Sequence, residues 1–133
     1  IIGHWQNGYG ATYNPKRREA LNLVRVKPGL AETMDEIQSM EPGRAVTAIA
    51  TGAAENRGAI SFKTLRQRLA TEAGAFLLLF GTAWGLTDDV IASADGVLAP
   101  IQGKTILGET GYNHLPVRAA AAVILDRLLA LES

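Results

Sequence analysis

Hydrophobic and polar positions alternate along the chain in blocks that predict strands and helices in turn. Three short apolar blocks, residues 45–50, 76–80 and 96–99, have the length and composition of buried strands. A weaker block at residues 23–26 alternates apolar and basic side chains and predicts a further strand that ends at Pro28. Because helical patterns separate these blocks, the order predicts an α/β fold with a parallel sheet that helices cover on both faces.

Capping residues mark where the predicted helices begin. Asn14 is followed by Pro15, and this pair predicts a helix that runs to about Leu21. Ser61 and Thr87 precede two further helical patterns in the same way. Aliphatic residues at helical spacing predict another helix from Leu30 to Ile37.

The last predicted helix has the most regular pattern in the chain. It follows Pro116, and its apolar positions repeat at helical spacing in one continuous stripe: Val117, Ala120, Ala121, Ile124, Leu125 and Leu128. Such a stripe packs either against the core of the same molecule or against a second copy of the chain, and the pattern alone leaves both interpretations open.

Composition excludes several classes of site. The chain of 133 residues is 47% hydrophobic and 20% charged, as in a soluble globular domain. It has no cysteine and only two histidines, His4 and His114, which excludes disulfides and thiolate chemistry and argues against a metal site. No apolar run is long enough to span a bilayer and no signal peptide opens the chain, so we expect a cytoplasmic protein with no membrane partner.

Two groups of basic side chains stand out although the net charge is zero. One comprises Lys16, Arg17 and Arg18, and the other comprises Lys63, Arg66 and Arg68. Both groups could bind nucleic-acid phosphates, or they could simply be the solvated faces of two helices.

The carboxyl ends of the predicted strands lead into loops of unusual composition, at residues 51–52, 81–86 and 100–115. Open α/β sheets bind ligands at this edge, so the three loops predict one pocket. Common nucleotide motifs do not fit them. Tyr13 stands where a dinucleotide fingerprint needs its third glycine, and Leu98 stands where a P-loop needs its first.

Three segments, in order along the chain, resemble the SPOUT class of S-adenosylmethionine-dependent RNA methyltransferases of bacteria. They are LFGTAWGL at 79–86, LAPI at 98–101, and YNHLPVR at 112–118 before the last helix. Residues 5–21 match the same family. The resemblance implies a C-terminal trefoil knot, S-adenosylmethionine as cofactor, methyl transfer to tRNA or rRNA, and a homodimer. It also implies a single domain over 1–133 that lacks the family's opening strand and helix.

The catalytic candidates are Arg118, His114 and Asn113. Arg118 could bind an RNA phosphate or orient the acceptor, or it could form a salt bridge with a carboxylate. His114 could accept a proton, or it could be a hydrogen-bonded support of its loop. The resemblance assigns the cofactor-binding residues. The cofactor would be bound by the following residues: Thr51, Leu79, Phe80, Gly81, Thr82, Gly85, Leu86, Leu98, Pro100, Ile101, Gly103, Tyr112, Asn113, Leu115 and Val117. Two positions depart from the family pattern, because Ala83 stands for an expected glycine and Pro116 for an expected serine. Ala83 would be strained if the loop needed a positive φ there.

Two other functions remain open from the residues alone. The chain could be a catalytically inactive module of the same fold that binds the cofactor or RNA. It could also be a flavodoxin-like domain that binds a small molecule and has no role with RNA. Binding of S-adenosylmethionine separates the flavodoxin-like domain from both the methyltransferase and the inactive module.

Overall fold

The chain divides into two units, residues 1–36 and residues 37–133, and the boundary falls within a helix. The computed structural model describes residues 2–105, 108–109 and 113–131. Within these described ranges, no helix is both long and apolar enough to cross a membrane.

Short helices form the first unit: α1 (Ile2–Gln6), α2 (Tyr9–Tyr13), α3 (Pro15–Asn22) and the first part of α4 (Leu30–Met40). α3 begins as predicted, because the side chain of Asn14 accepts a hydrogen bond from the backbone N–H of Arg17 at 3.1 Å. α1 and α2 have five residues each, which is too short to show a helical period in the sequence. The Gln6 amide donates to the carbonyl of Leu21 at 2.9 Å and joins α1 to α3.

The predicted strand at residues 23–26 is wrong. The chain there leaves α3 through a turn and continues without strand pairing. A strand needs the backbone groups of a neighbour, and none of the described residues pairs with this segment. Side chains hold the segment instead, because Arg25 and Lys27 contact the Glu36 carboxylate at 2.6 and 2.7 Å.

A three-stranded parallel sheet organises the second unit. Its strands are β1 (Val46–Ala50), β2 (Ala75–Leu79) and β3 (Gly96–Val97), in the spatial order β2-β1-β3. β1 pairs with β2 over five residues from Val46↔Ala75 to Ala50↔Leu79, and with β3 at Ile49↔Gly96 and Ala50↔Val97. The prediction of an α/β fold with a parallel sheet is confirmed.

The described residues of this unit also include the end of α4, the helices α5 (Phe62–Thr71), α6 (Asp88–Ser93) and α7 (Val117–Leu129), and two short antiparallel strands, β4 (Lys104–Thr105) and β5 (Gly108–Glu109). Both predicted caps are present. The Ser61 hydroxyl accepts from the backbone N–H of Thr64, and the Thr87 hydroxyl accepts from that of Val90.

The core of the second unit lies where α5 and α7 meet the sheet. Ile49 of β1, Leu65 of α5 and Leu98 are almost fully buried, and Ile124 and Leu128 of α7 pack with them. Alternate residues of a strand point to opposite faces, so the buried Ala48 and Ala50 show that the other face of β1 is covered as well. The apolar stripe of α7 therefore supplies part of the core.

Candidate active site

The carboxyl ends of the three parallel strands open into one cavity of about 780 Å³. Its walls include residues 51–54 after β1, residues 80–86 after β2, Leu98, Ala99 and Ile101 after β3, and residues 113–117 at the start of α7. A volume of this size is typical of small-molecule sites, which span roughly 300–1,000 Å³.

The loop after β2 is a tight turn whose shape depends on two glycines. The backbone N–H of Gly85 donates to the carbonyl of Thr82 at 2.8 Å, and Gly85 has a φ of +79°. A Cβ at Gly81 would overlap the backbone of Gly85 and Leu86. No described residue other than glycine has a positive φ, so the left-handed conformation falls on Gly85 and the methyl group of Ala83 is accommodated without that strain.

Hydrogen bonds join segments that are far apart in the sequence at two places, the first through a pair of bonds and the second through one bond. The backbone N–H and the hydroxyl of Thr51 both donate to the carbonyl of Leu79, at 3.0 and 2.7 Å. The side-chain amide of Asn113 donates to the carbonyl of Ala53 at 2.9 Å. The first pair ties the end of β1 to the end of β2, and the second ties the segment before α7 to the loop after β1.

The structure brings most of the sequence-predicted cofactor residues together along the cavity: Thr51, Phe80, Gly81, Thr82, Gly85, Leu86, Leu98, Ile101, Asn113, Leu115 and Val117. Leu79, Pro100 and Gly103 are not in its lining, although the Leu79 carbonyl holds Thr51. Tyr112 lies outside the described residues.

The three catalytic candidates separate in space. Asn113 and His114 line the cavity. Arg118 is exposed in the first turn of α7 and is not part of the lining. The cavity therefore brings together an amide and an imidazole, while the guanidinium belongs to the neighbouring surface.

Several lining residues were not predicted as site residues. Ala120 and Ile124 of α7 belong to the apolar stripe, which could have indicated them because it continues from the core into the cavity. Asp88 stands in the first turn of α6, where the helix dipole favours an acid, and it also lines the cavity. Ala53 and Ala54 carry no sequence signal that distinguishes them from other loop residues.

The described lining contains one carboxylate, Asp88, and neither lysine nor arginine. Two of the three basic side chains in the group Lys63, Arg66 and Arg68 form contacts outside this lining. Arg66 donates to the carbonyls of Arg127 and Ala130, and Arg68 forms a two-bonded ion pair with Glu72. The hydrogen bonds from Arg68 hold the pKa of the Glu72 carboxyl group below its usual value. A cavity whose described lining has neither lysine nor arginine suits a ligand without phosphates, because phosphate sites are built from cations and clustered backbone N–H groups.

A family model described as SAM-dependent RNA methyltransferase matches residues 1–130. The chain belongs to this family. The predicted relation to S-adenosylmethionine-dependent RNA methyltransferases, and S-adenosylmethionine as the cofactor of the family, are thereby confirmed. Two bacterial relatives are named tRNA (guanine-N(1)-)-methyltransferase: one from Oleidesulfovibrio alaskensis, 42% identical over 97% of this chain, and one from Nitratidesulfovibrio vulgaris, 35% identical over 97%. A protein from Aquifex aeolicus without an assigned function is 34% identical over 97% of this chain.

The chain spans only part of these relatives. It covers 28% of the length of each named methyltransferase and 60% of the length of the Aquifex protein. The activity in these two names therefore refers to proteins more than three times as long as the matched segment.

The cavity fits S-adenosylmethionine by its chemistry. The cofactor carries no phosphate, and its sulfonium is a cation, which agrees with a described lining that contains Asp88 but neither lysine nor arginine. Its adenine needs apolar walls and backbone polar groups, which Leu98, Ile101 and the glycine-containing loop 81–86 provide.

Proposed function

We propose that this chain transfers a methyl group from S-adenosylmethionine to a nucleotide of RNA, with tRNA as the substrate class. The observation that carries the proposal is the cavity at the carboxyl edge of the sheet, in a chain of the methyltransferase family. The names of two relatives favour tRNA as the RNA to test first.

In this proposal each wall of the cavity has a distinct task. Leu98 and Ile101 hold the adenine, and the backbone of the turn formed by residues 81–86 is the wall beside it, with the Trp84 ring outside. When bound, the cofactor supplies an activated methyl group on its sulfonium. The chain's residues must then hold the acceptor atom close to that methyl group, about 3–3.5 Å away and in line. His114 accepts a proton where the acceptor carries one, and Asn113 orients the base.

RNA binding falls to the surface around the cavity. Arg118 is exposed at the start of α7, beside the lining residues Pro116 and Val117, and contacts a phosphate in this proposal. Separately from that surface, the first unit offers Lys16 and Arg18 on the exposed α3 as further phosphate contacts. Phosphate contacts of this kind make RNA affinity fall as the salt concentration rises.

The resemblance to the SPOUT class adds two further proposals, a trefoil knot through the C-terminal segment and a homodimer. The dimer has support from α7, where Leu125 is 44% exposed and Leu129 is 64% exposed although the same helix supplies Ile124 and Leu128 to the core. A helix that is apolar on two sides has a second face available for another copy.

Binding and transfer test the function separately. Isothermal titration calorimetry measures the affinity for S-adenosylmethionine and for S-adenosylhomocysteine. A second assay follows labelled methyl groups from the cofactor into tRNA transcripts, and mass spectrometry of the digested nucleosides identifies the methylated position. We expect cofactor binding and label in tRNA. Absence of cofactor binding contradicts the proposal, and binding without any transfer to RNA favours the inactive module instead.

A further inference from the structure

Trp84 is a large aromatic side chain that the fold leaves in water. It stands in the turn after β2 and is 97% exposed. Its neighbours Ala83 and Gly85 are too small to cover the indole ring. The residue also lines the cavity, so the exposed ring lies at the entrance of the proposed active site.

The turn that carries Trp84 is fixed by its backbone. The hydrogen bond between the Gly85 N–H and the Thr82 carbonyl closes it, and Gly81 packs directly against the backbone of Gly85 and Leu86. The position of the Trp84 backbone at the rim therefore follows from the turn and not from packing of the indole.

We propose that Trp84 stacks on a nucleobase of the RNA substrate and guides it to the cavity; this inference rests on the proposed function. Enzymes that modify a base reach it outside its helical stack, and unstacked RNA bases are commonly bound on aromatic rings. A second loop of the same cavity supplies Asn113 and His114, whose polar atoms can contact the edge of that base.

The adenine of the cofactor is a less suitable occupant for this ring. The inner walls of the cavity include Leu98 and Ile124, which are nearly buried and can enclose an adenine. Trp84 instead faces solvent almost completely, where an incoming macromolecule meets it first. Trp84 is accordingly assigned to substrate positioning, which makes RNA binding depend on it more than cofactor binding does.

Three substitutions at this position separate stacking from apolar bulk. Trp84→Ala removes the ring, Trp84→Leu keeps apolar volume without a π face, and Trp84→Phe keeps a π face. We expect the first two to raise KM for tRNA by roughly five- to 150-fold, since stacking of one base contributes about that much binding. We expect Trp84→Phe to restore most of the affinity. Leu131→Ala, which removes another exposed apolar side chain outside the cavity lining, should leave KM unchanged.

Fluorescence reports the stacking directly. The chain has two tryptophans, so Trp5→Phe leaves Trp84 as the only indole. Quenching by tRNA that does not occur with S-adenosylhomocysteine alone supports the inference. Quenching by S-adenosylhomocysteine alone assigns Trp84 to the cofactor and overturns it. Sedimentation in which Trp84→Ala, but not Trp84→Phe, dissociates a wild-type dimer assigns the ring to a subunit contact and also overturns it.

The outcomes distinguish this inference from the function on which it rests. If the wild-type chain neither binds nor methylates tRNA, the proposed function fails. If the wild type methylates tRNA and Trp84→Ala has the same KM for tRNA, the function stands and only the role of Trp84 is rejected. Calorimetry with S-adenosylhomocysteine should give equal affinities for all three variants, which shows that the cofactor cavity is intact.

Discussion

One hydrogen bond from the side chain of Asn113 connects two walls of the cavity. The amide of Asn113 donates to the carbonyl of Ala53, which lies sixty positions earlier in the chain. The resemblance places Asn113 in the site, but no sequence pattern indicates which carbonyl it contacts. The structure thus adds a specific positioning role to a residue otherwise assigned only by analogy.

We expect Asn113→Asp to lower the affinity for S-adenosylhomocysteine and to destabilise the second unit by about 1–3 kcal/mol. The substitution removes the donor and places a carboxylate oxygen against the Ala53 carbonyl. Calorimetry and urea unfolding measure the two effects. Asn56→Asp introduces the same charge at an exposed position in the loop after β1 and is the matched control. Equal affinities for both variants would show that the bond to Ala53 does not shape the cavity.

Gly85 determines the conformation of the turn that carries Trp84. Its φ of +79° is in the left-handed region, which costs a residue with a Cβ about 1–2 kcal/mol. We therefore expect Gly85→Ala to lower the unfolding free energy by that amount. Gly52→Ala serves as the control because its φ is not positive and a Cβ there meets nothing within 4 Å. Urea unfolding that gives both variants the same stability would contradict the role of this φ.

At the scale of the elements, the sequence predicts what strong local signals determine. Ser61 and Thr87 predicted the starts of α5 and α6 because a capping hydroxyl acts within three residues. The strand at residues 23–26 failed because a strand exists only with a partner, and pairing is decided by distant parts of the chain. α1 and α2 escaped prediction because one helical turn is too short to show a period.

α7 ends on a contact that no local pattern predicts. The guanidinium of Arg66 donates to the carbonyls of Arg127 at 2.6 Å and Ala130 at 3.0 Å, where the helix leaves backbone acceptors unsatisfied. We expect Arg66→Met to destabilise the second unit by about 1–2 kcal/mol. Lys63→Met removes the same charge from an exposed position on α5 and should cost less. Thermal unfolding of the two variants checks this, and a larger loss for Lys63→Met would refute it.

The first unit has a pH-dependent contact at Glu36. Hydrogen bonds from Lys27 and Arg25 lower the pKa of this carboxyl group, and the Lys27 bond has the larger effect. A folded-state pKa below the unfolded value means that the contact stabilises the fold above the unfolded pKa. That stabilisation is lost as the pH falls through the folded value.

We therefore expect Glu36→Gln to weaken the first unit at neutral pH, and the difference from wild type to vanish in acid. Hydrogen exchange of the amides in residues 23–36, measured between pH 7 and about pH 3, follows the effect. Asp35→Asn changes an exposed acid on the same helix and should show no comparable difference. A difference between Glu36→Gln and wild type that persists in acid would exclude the ion pairs as its cause.

At the scale of the whole molecule, the sequence predicted the edge of the sheet that forms the cavity but not all of its walls. The three loops 51–52, 81–86 and 100–115 were predicted to converge because parallel strands end at one edge. The assignment of individual residues came from the resemblance. Asp88 and Ala120 were not predicted as site residues. Asp88 is explained by the start of a helix and Ala120 by an apolar stripe, and only the folded structure shows that both also line the cavity.

The proposed dimer makes the last prediction, and it depends on the two faces of α7. Ile124 and Leu128 are buried within the second unit, whereas Leu125 and Leu129 remain substantially exposed. Leu125→Glu places a charge on the exposed face without entering the core, so it should dissociate the dimer while far-ultraviolet circular dichroism stays unchanged. Leu23→Glu puts the same charge at an 84% exposed position and should leave the dimer intact. Sedimentation velocity separates the two variants. A wild-type chain that sediments as a monomer, or a dimer that survives Leu125→Glu, would show that this face of α7 does not join two copies.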